Sequence, residues 1–298
     1  MIVCIFSFNR GRFLQHCVSS VERCAPDWKI CVIDDGSQDA ETVSTLEAIG
    51  RRHQVLHAQS SADRKHGGLY ANMQLALEKF VDEPLMLTLQ DDMQMVRPLE
   101  ADDVPAMQDY FRDNPQSAFL QPCFLKGATR QRDVDTLRFD SQSQVYLRAP
   151  AGQSAGVHYS DILVTHPARL QAAGWQFAHS EPANDRQAAQ LFGPMGHLFS
   201  PFVMWLPEVP AYRGKRKTLA LKIAEARRKC GLYPFATLNA EQIRMLKQRR
   251  PEQLPFAEDY LANTEPDLSQ PWAYYPLQDS RWLKKLNSLE LTLRRLLP

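Results

Sequence analysis

The sequence predicts an α/β fold, with a doubly wound, mostly parallel sheet that carries helices on both faces and a helical C-terminal extension. Short apolar runs, typical of strands buried on both faces, recur along the first half of the chain. Amphipathic helical patterns separate these runs, and two of the runs end in paired acids. Alternating strands and helices imply right-handed crossovers and a parallel sheet.

The first half of the chain contains four strand patterns and three helix patterns. In order, we predict a strand over 2–8, a helix over 13–21 closed by Pro26, a strand over 29–33, a helix with Val43, Leu46 and Ile49 facing inward, a strand over 54–58, a helix opened by residues 67–68, and a strand over 85–89. The β-α-β order is that of an open parallel sheet.

The pattern is less regular beyond Pro98. We predict a helix over 104–111, a strand over 118–121, a polar insert over 123–150 with a hairpin around 137–146, a strand over 159–164, a helix over 167–173 ended by Gly174, a helix over 185–191, and a return to the sheet edge over 201–209. After Tyr212 the pattern indicates helices and proline-broken connections. A long irregular insert is more often a functional lid than a packing element.

Composition favours a large globular protein: 298 residues, 44% of them hydrophobic, with a net charge of +1. No apolar run approaches the roughly 20 residues that span a bilayer, and no charged leader precedes the first strand. We therefore expect a cytoplasmic protein without a transmembrane anchor. The six cysteines lack CxxC spacing, which favours buried free thiols over disulfides or a zinc site.

The C-terminal extension is basic, with 17 Lys or Arg against 9 Asp or Glu in residues 211–298, whereas residues 1–210 have 18 against 25. Its last helix carries an apolar stripe with lysines and arginines on the flanks; the stripe comprises Trp282, Leu286, Leu289, Leu293 and Leu296. Such a helix can lie on an anionic membrane surface, pack on its own domain or contact another subunit. The sequence leaves these three alternatives open.

Two strands end in acid pairs, Asp34-Asp35 and Asp91-Asp92. Ligands of open α/β sheets collect at the carboxyl ends of strands. There, a carboxylate can accept hydrogen bonds from a base or ribose, and another can hold Mg2+ or Mn2+ beside a phosphate. Lys65, with His66, precedes a helix start and could meet a phosphate, although exposed charge explains it equally well. A turn acid and a helix N-cap are the alternatives for the acid pairs.

Several enzyme classes fit poorly. The chain has neither a GxxxxGK[ST] phosphate loop nor a GxGxxG turn after its first strand, which disfavours kinases and dehydrogenases. A nucleotidyltransferase would need a Gly-rich, basic loop after that strand to hold a triphosphate, and none is present. We expect no nucleic-acid partner.

Four short motifs resemble, in order, the signatures of family 2 glycosyltransferases with the nucleotide-diphospho-sugar transferase (GT-A) fold. They are FNR at 8–10, VIDDGS at 32–37, GLYAN at 68–72 and LQDD at 89–92. The resemblance covers about residues 1–205. It implies a catalytic domain over 1–210, with a nucleotide-sugar half over 1–98 and an acceptor half over 99–210, followed by the extension over 211–298.

This resemblance implies the transfer of a sugar from a nucleotide-diphosphate donor, most often a UDP-sugar, to a hydroxyl of a glycan or lipid-linked acceptor. Transfer in the family usually proceeds with inversion and with Mn2+ or Mg2+, and we expect a role in assembling a cell-surface polysaccharide or lipopolysaccharide. A QxxRW motif, which grips the acceptor in processive members, occurs at 278–282, but too far from the other motifs. We treat it as chance and expect a non-processive enzyme.

The resemblance also assigns residues to the donor site. Asp35, with Asp34, would contact the base, Asn9 and Arg10 would line the base and ribose pocket, Asp91 would approach the ribose and sugar, and Asp92 would hold the metal. Gln90 stands where many relatives have an acid, so the site has one carboxylate fewer. Gly68 and Asn72 complete the predicted donor site, and His197, like His158, is a candidate further metal ligand or a structural residue.

An inverting transfer needs a general base beside the acceptor hydroxyl. Residues 174–186 resemble the family segment that supplies it, with Asn184 in place of a usual Glu. Asp185 is the first candidate base and Glu181 the second, while a helix N-cap is the alternative role for Asp185. The changes at Gln90 and Asn184 also leave open a catalytically silent member that binds a nucleotide or acts as a scaffold for glycan assembly.

Overall fold

A nine-stranded sheet forms the centre of the protein in a computed structural model that describes residues 1–57, 68–149, 156–211, 217–265 and 267–296. The strands are β1 (Ile2–Ser7), β2 (Lys29–Asp34), β3 (Gln54–His57), β4 (Met86–Gln90), β5 (Met93–Met95), β6 (Phe119–Gln121), β7 (Leu137–Asp140), β8 (Val145–Arg148), β9 (Val164–Thr165), β10 (Gly196–Leu198) and β11 (Val203–Trp205). Their order in the sheet is β3-β2-β1-β4-β9-β6-β10-β8-β7, and β5 and β11 form a separate antiparallel pair.

The described helices connect and cover these strands. They are α1 (Gly11–Cys24), α2 (Ala40–Gly50), α3 (Leu69–Lys79), α4 (Asp103–Asp113), α5 (Arg130–Thr136), α6 (Pro167–Ala172), α7 (Glu181–Leu191), α8 (Leu219–Arg228), α9 (Ala240–Gln248), α10 (Ala257–Tyr260) and α11 (Arg281–Leu296). In the main sheet, β8 and β9 run against the direction of the other seven strands. The predicted α/β class with a mostly parallel sheet is therefore confirmed.

The central strands are apolar throughout because both of their faces are buried. Val3 and Ile5 of β1 pack with Leu14 and Val18 of α1 in one core. The alternate residues of β1 enter a second core on the other face, where α3 contributes Met73. This alternation is what a two-residue side-chain period requires of a strand between two helical layers.

Several element predictions need correction. Val43 is 38% exposed, because α2 turns a narrower face inward than expected. The strand predicted over 159–164 is wrong: its regular part is the two-residue strand β9, which leaves the preceding residues as irregular backbone. The segment over 201–209, predicted to return to the sheet edge, instead forms β11 and pairs with β5 outside the main sheet. The polar insert contains the predicted hairpin, β7 and β8, but also helix α5.

The C-terminal extension packs against the preceding part of the chain. One apolar core combines Phe124 and Met204 with Phe235, Ile243 and Trp272 of the extension. The six cysteines are free, and five of them are buried. Within the described residues, no helix has both the length and the apolar character needed to cross a membrane.

Helix α11 has two different apolar faces rather than one. Leu283 is buried against Ala220 and Ala224 of α8, and the partly buried Leu286 packs beside it. Trp282, Leu289 and Leu293, in contrast, are 62%, 57% and 48% exposed. One part of the predicted stripe therefore packs on the protein itself, and another part faces outward.

We predict that Gly11→Ala lowers the free energy of unfolding by about 1–3 kcal/mol, the usual cost of overpacking. A Cβ atom on Gly11 would lie 2.8 Å from the carbonyl oxygen of Glu41 and 2.9 Å from Cα of Thr42, so the α1–α2 contact would have to open. Urea denaturation measures the change. Gly50→Ala is the control, because its Cβ would meet nothing nearer than Val55 Cγ2 at 3.7 Å. Equal stability of the two variants would contradict this close approach.

Candidate active site

A cleft of about 230 Å³ opens at the carboxyl ends of β1 and β4, where the fold predicts a ligand site. It collects six of the predicted donor-site and metal-site residues: Arg10, Asp35, Asn72, Gln90, Asp91 and Asp92. Phe6, Ser7, Phe8 and Leu69 also line it, although none of them was assigned to the donor site from the sequence. Chain positions spread over more than 80 residues meet here because β1, β2 and β4 are neighbours in the sheet.

Asn9 and Asp34 build the turns around the cleft rather than line it. Asn9 adopts a positive φ of 50°, its N–H donates to Ser37 Oγ over 2.8 Å, and its Oδ1 accepts the N–H of Gln38 over 2.9 Å. The carboxylate of Asp34 accepts hydrogen bonds from the N–H groups of Gly36 and Ser37 and from the Ser37 hydroxyl. These contacts join the turn after β1 to the turn after β2.

Asp35 contacts the start of α3 from the other side of the cleft. Its Oδ2 accepts the N–H of Gly68 over 2.7 Å, and a Cβ atom on Gly68 would lie 1.9 Å from Oδ1, so the backbone can approach only at a glycine. Oδ1 is buried and has no hydrogen-bond partner in the described parts of the chain. Burial raises the pKa of this carboxyl, while the Gly68 N–H and the Asn72 amide act in the opposite direction.

Arg10 joins the two acids that follow β4. Its Nη1 lies 2.7 Å from Asp92 Oδ2 and 3.3 Å from Asp91 Oδ1, and its Nη2 donates to the Pro210 carbonyl. Burial would lower the pKa of Arg10, but the two carboxylates more than offset it, so the guanidinium is firmly charged. Asp91 also accepts the N–H of Phe8 over 3.2 Å. Burial raises the pKa of Asp91, and Arg10 opposes this change.

Asp92 fits a divalent cation that is shared with a bound phosphate. Arg10 occupies Oδ2, but Oδ1 is buried without a hydrogen-bond partner among the described residues. Those residues contain no group of three or more His, Cys, Asp or Glu side chains placed to hold a metal by themselves. Mg2+ is commonly held by one or two carboxylates together with substrate phosphates, and Mn2+ accepts similar oxygen ligands. Gln90 lines the same cleft as a neutral side chain.

His197 lines a second pocket, which does not include Asp92. The ring lies on β10, opposite Gln121 of β6. Burial and the nearby charge of Arg148 lower its pKa to about 3, so the ring is neutral at physiological pH. Lys65 lies outside the described residues.

Glu181 and Asp161 form a half-buried acid pair beyond the cleft. Glu181 begins α7, where the positive end of the helix favours a carboxylate, and Ser160 and the backbone N–H of Asp161 face its side chain. Burial raises the pKa of Glu181 despite these contacts and the nearby Lys126. Asp161 accepts a hydrogen bond from the Tyr70 hydroxyl over 3.1 Å, and burial together with the Glu181 charge raises its pKa to about 7.

Asp185 lies one turn further along α7, and its side chain binds the backbone of a neighbouring segment. Its Oδ1 accepts the N–H groups of His158 and Tyr159 over 2.9 and 3.0 Å. The N-cap of α7 is Ser180, so the alternative N-cap role of Asp185 is wrong. Asn184 is fully buried and bonds both backbone groups of Ala178, which shapes the approach to the helix.

Sequence reasoning missed Asp161 and Lys126. Asp161 fell within a predicted strand and Lys126 within a predicted polar loop, so neither carried a motif. The ammonium of Lys126 lies 3.6 Å from the centroid of the Trp205 ring. Burial lowers its pKa, and Asp92 and Glu181 are both near enough to counteract that change. Lys126 therefore links the cleft to the acid pair.

The family model described as "Glycosyl transferase family 2" matches residues 2–163. The match covers more than half of the chain, so the protein belongs to glycosyl transferase family 2, a class of sugar-transferring enzymes. The predicted family is confirmed. No curated protein sequence matches the chain significantly.

Several solved structures resemble this chain at low sequence identity. S. aureus TarS 1–349 has a TM-score of 0.48 at 12% identity, over 68% of this chain and 59% of TarS 1–349. Its complex with UDP has a TM-score of 0.44 at 12% identity, over 83% and 69%. The mannosyltransferase PcManGT from Pyrobaculum calidifontis, with GDP-Man and Mn2+, has a TM-score of 0.43 at 10% identity, over 100% and 75%. Similarity at this level carries no argument about substrate.

We predict that Asp161→Asn makes the stability of the protein less sensitive to pH. The folded-state pKa of about 7 exceeds the unfolded value of about 4, so the stabilisation is complete below pH 4 and is lost as the pH rises to 7. The asparagine can still accept from Tyr70 but has no proton to lose. The loss of unfolding free energy between pH 4.5 and 8 should shrink by on the order of 2 kcal/mol.

Urea denaturation at the two pH values measures this effect. Asp27→Asn is the control, since it removes one carboxylate from an exposed position. An unchanged pH dependence in Asp161→Asn would show that the Asp161 carboxyl titrates alike in the folded and unfolded states.

Proposed function

We propose that this protein transfers a sugar from a nucleotide-diphosphate donor to an acceptor hydroxyl, with inversion and without processivity. The observation that carries this proposal is the cleft at the ends of β1 and β4, where Asp35, Arg10, Asp91 and Asp92 meet. A UDP-sugar is the donor class that the family resemblance favours, and assembly of a cell-surface glycan is the proposed setting.

In this proposal, the cleft binds the donor with its base toward Asp35 and its diphosphate toward Asp92. The unpartnered Oδ1 of Asp35 is free to accept a hydrogen bond from a base N–H. Asn9 and Asp34 would act indirectly, by holding the two turns that border the cleft. Arg10 and Asp91 would line the ribose and sugar end, with Gly68 and Asn72 fixing the start of α3 beside the base.

We propose Asp92 as the ligand of a divalent cation, through the oxygen that Arg10 leaves free. Mn2+ or Mg2+, when bound there with the donor, would neutralise the diphosphate and make it a better leaving group. Arg10 orients the Asp92 carboxylate, and it would place a permanent positive charge beside the same phosphates. His197 would serve outside this metal site, because it lines a different pocket.

Glu181 is our proposed general base, ahead of Asp185. A base needs an accessible carboxylate whose pKa is raised toward the working pH, and burial gives Glu181 such a pKa. Asp185, in contrast, uses Oδ1 to hold two backbone N–H groups. Glu181 would take the proton of the acceptor hydroxyl as that oxygen attacks the anomeric carbon and the nucleotide diphosphate departs.

We also propose that α11 brings the enzyme to an anionic membrane surface on the cytoplasmic side, where a lipid-linked acceptor would be found. The exposed side chains of Trp282, Leu289 and Leu293 form an outward apolar face, and Lys284 and Lys285 on the same helix are exposed as well. Peripheral helices of this kind combine apolar insertion with attraction to anionic lipids. The packed face of α11 against α8 would keep the helix fixed to the protein.

The alternative is a catalytically silent member that binds a nucleotide within a glycan-assembly complex. The neutral Gln90 and the engagement of Asp92 by Arg10 favour it, because both reduce the charge available to a metal. Calorimetry with UDP and GDP, with and without Mn2+, combined with a donor-hydrolysis assay, separates the two. Binding without any turnover would support the silent member.

We predict that Glu181→Gln lowers kcat by about 10²–10⁴-fold, the usual contribution of a positioned general base, with a small effect on KM for the donor. Asp185→Asn should keep kcat within a few-fold of the wild type, because the amide oxygen can still accept both backbone N–H groups. Initial rates of transfer or donor hydrolysis measure both variants. A large loss in Asp185→Asn with none in Glu181→Gln would reverse the assignment.

Asp92→Asn and Gln90→Glu should change the need for metal in opposite directions. The asparagine removes the charge that faces the cation, so we predict a loss of about tenfold or more in Mn2+-dependent UDP affinity, as for other metal-site changes. The glutamate adds a carboxylate to the same cleft and should lower the Mn2+ concentration that gives half-maximal activity. Titration with Mn2+ after chelator treatment measures both effects. Wild-type metal dependence in Asp92→Asn would exclude Asp92 as the ligand.

A further inference from the structure

A second pocket, of about 130 Å³, lies in the acceptor half of the protein. We call it the basic pocket and define it by Gln121, Lys126, Arg132, Arg148, His197 and Trp205, which line it. Gln121, His197 and Arg148 lie on β6, β10 and β8, three adjacent strands of the main sheet. The strand order therefore brings together residues from positions 121 to 205.

Buried polar atoms without hydrogen-bond partners occur on three residues that line this pocket. They are Gln121 Oε1, Arg148 Nε and both ring nitrogens of His197, counted against the described residues. The three side chains belong to residues that are 8%, 5% and 6% exposed. The Gly156 backbone faces the His197 ring, but outside hydrogen-bond geometry. Polar atoms this deeply buried are normally satisfied, so a cluster of unsatisfied ones indicates a site that a polar ligand completes.

The charge of the basic pocket is positive. Among the described residues, Lys126, Arg132 and Arg148 line it with one acid, Asp133, which both arginines contact. Within the described parts of the chain, no carboxylate lies within 4 Å of Lys126 Nζ. That ammonium rests on the faces of Trp205 and Tyr274, at 3.6 and 4.8 Å from their centroids. An unpaired cation held on aromatic rings is available to a ligand anion.

The basic pocket adjoins the proposed general base. Gln121 Nε2 donates to Ser160 Oγ over 3.1 Å, and the Ser160 hydroxyl faces Glu181. Lys126 is near enough to both Glu181 and Asp92 to interact with their charges. A molecule in the basic pocket would therefore lie close to Glu181, the proposed general base.

We infer that the basic pocket binds an anionic group, a carboxylate or a phosphate ester, carried by the acceptor. The inference rests on the proposed function and adds the chemical class of the acceptor. Lys126 and Arg132 would pair with the anion, and Gln121 and the neutral His197 would contribute hydrogen bonds to neighbouring hydroxyls or oxygens. Arg148 is held by Asp133 and Thr136 and would orient the site.

The test measures binding of two matched probe pairs by calorimetry, in the presence of UDP and Mn2+: glycerol 3-phosphate with glycerol, and methyl β-glucuronide with methyl β-glucoside. We expect at least one anionic probe to bind while its neutral counterpart does not. Lys126→Gln and Arg132→Gln should each weaken that binding by about tenfold, as for the loss of a charge-assisted contact. Lys126→Arg should retain most of it. Lys222→Gln, on an exposed position of α8, is the charge-matched control.

Lys126→Gln leaves no orphaned carboxylate, and in Arg132→Gln the Asp133 side chain keeps Arg148, so both variants should fold. UDP affinity, measured alongside, tests the proposed function separately from the anionic acceptor. Failure of the wild type to bind either UDP or GDP would overturn the proposed function. Normal UDP binding without binding of either anion, or equal anion binding by wild type and Lys126→Gln, would overturn only the anionic acceptor.

The anion could instead be carried by the donor sugar, and a second comparison decides between these sources. The affinities of UDP-glucuronate and UDP-glucose are measured by calorimetry for the wild type and for Lys126→Gln. If the variant loses affinity for UDP-glucuronate alone, the anion belongs to the donor and the acceptor assignment is wrong. Equal changes for both donors, together with loss of the anionic probes, support the acceptor.

Discussion

A single arginine joins the ends of the two central strands. Arg10 follows β1, Asp91 and Asp92 follow β4, and the strands are neighbours, so the guanidinium spans both carboxylates. Asp91 is 5% exposed, and a buried carboxylate without this partner would be strongly destabilising. The same arginine reaches the Pro210 carbonyl, which fixes the end of the residue 1–210 region against the cleft. The geometry of the cleft depends on this contact.

The four acids at the strand ends have separate tasks, although they look equivalent in the sequence. Asp34 caps its own turn, and Asp35 reaches across to Gly68. Asp91 pairs with Arg10 and accepts the Phe8 N–H, whereas Asp92 keeps one oxygen without a partner among the described residues. Burial and hydrogen bonding decide which acid is structural and which can meet a ligand.

The two candidate general bases beyond the cleft also differ, one being structural and the other able to meet a ligand. Asp185 supports the backbone of residues 158–159, and that irregular segment in turn presents Ser160 and Asp161 to Glu181. A strand at 159–164 would have directed alternate side chains to opposite faces of the sheet. Because β9 is limited to Val164–Thr165, Asp161 and Ser160 can instead face the same acid. Together with Lys126 and the basic pocket, this arrangement would separate the donor from the acceptor in the proposed reaction.

The sequence by itself determined the α/β class, the alternation of β1 through β4 with their helices, and the family. Apolar runs and motif order are local properties of the chain. A short run that is apolar on both faces is well explained only as a buried strand of a parallel sheet. Gly68, Asn72 and the acid pairs could be found for the same reason. The tertiary structure alone decided the antiparallel insertion of β9 and β8, the split face of α11, and the meeting of Lys126, Asp161 and Glu181. Those features arise from contacts between residues far apart in the chain, where burial and neighbouring charge set the role of each group, and no local pattern records such contacts.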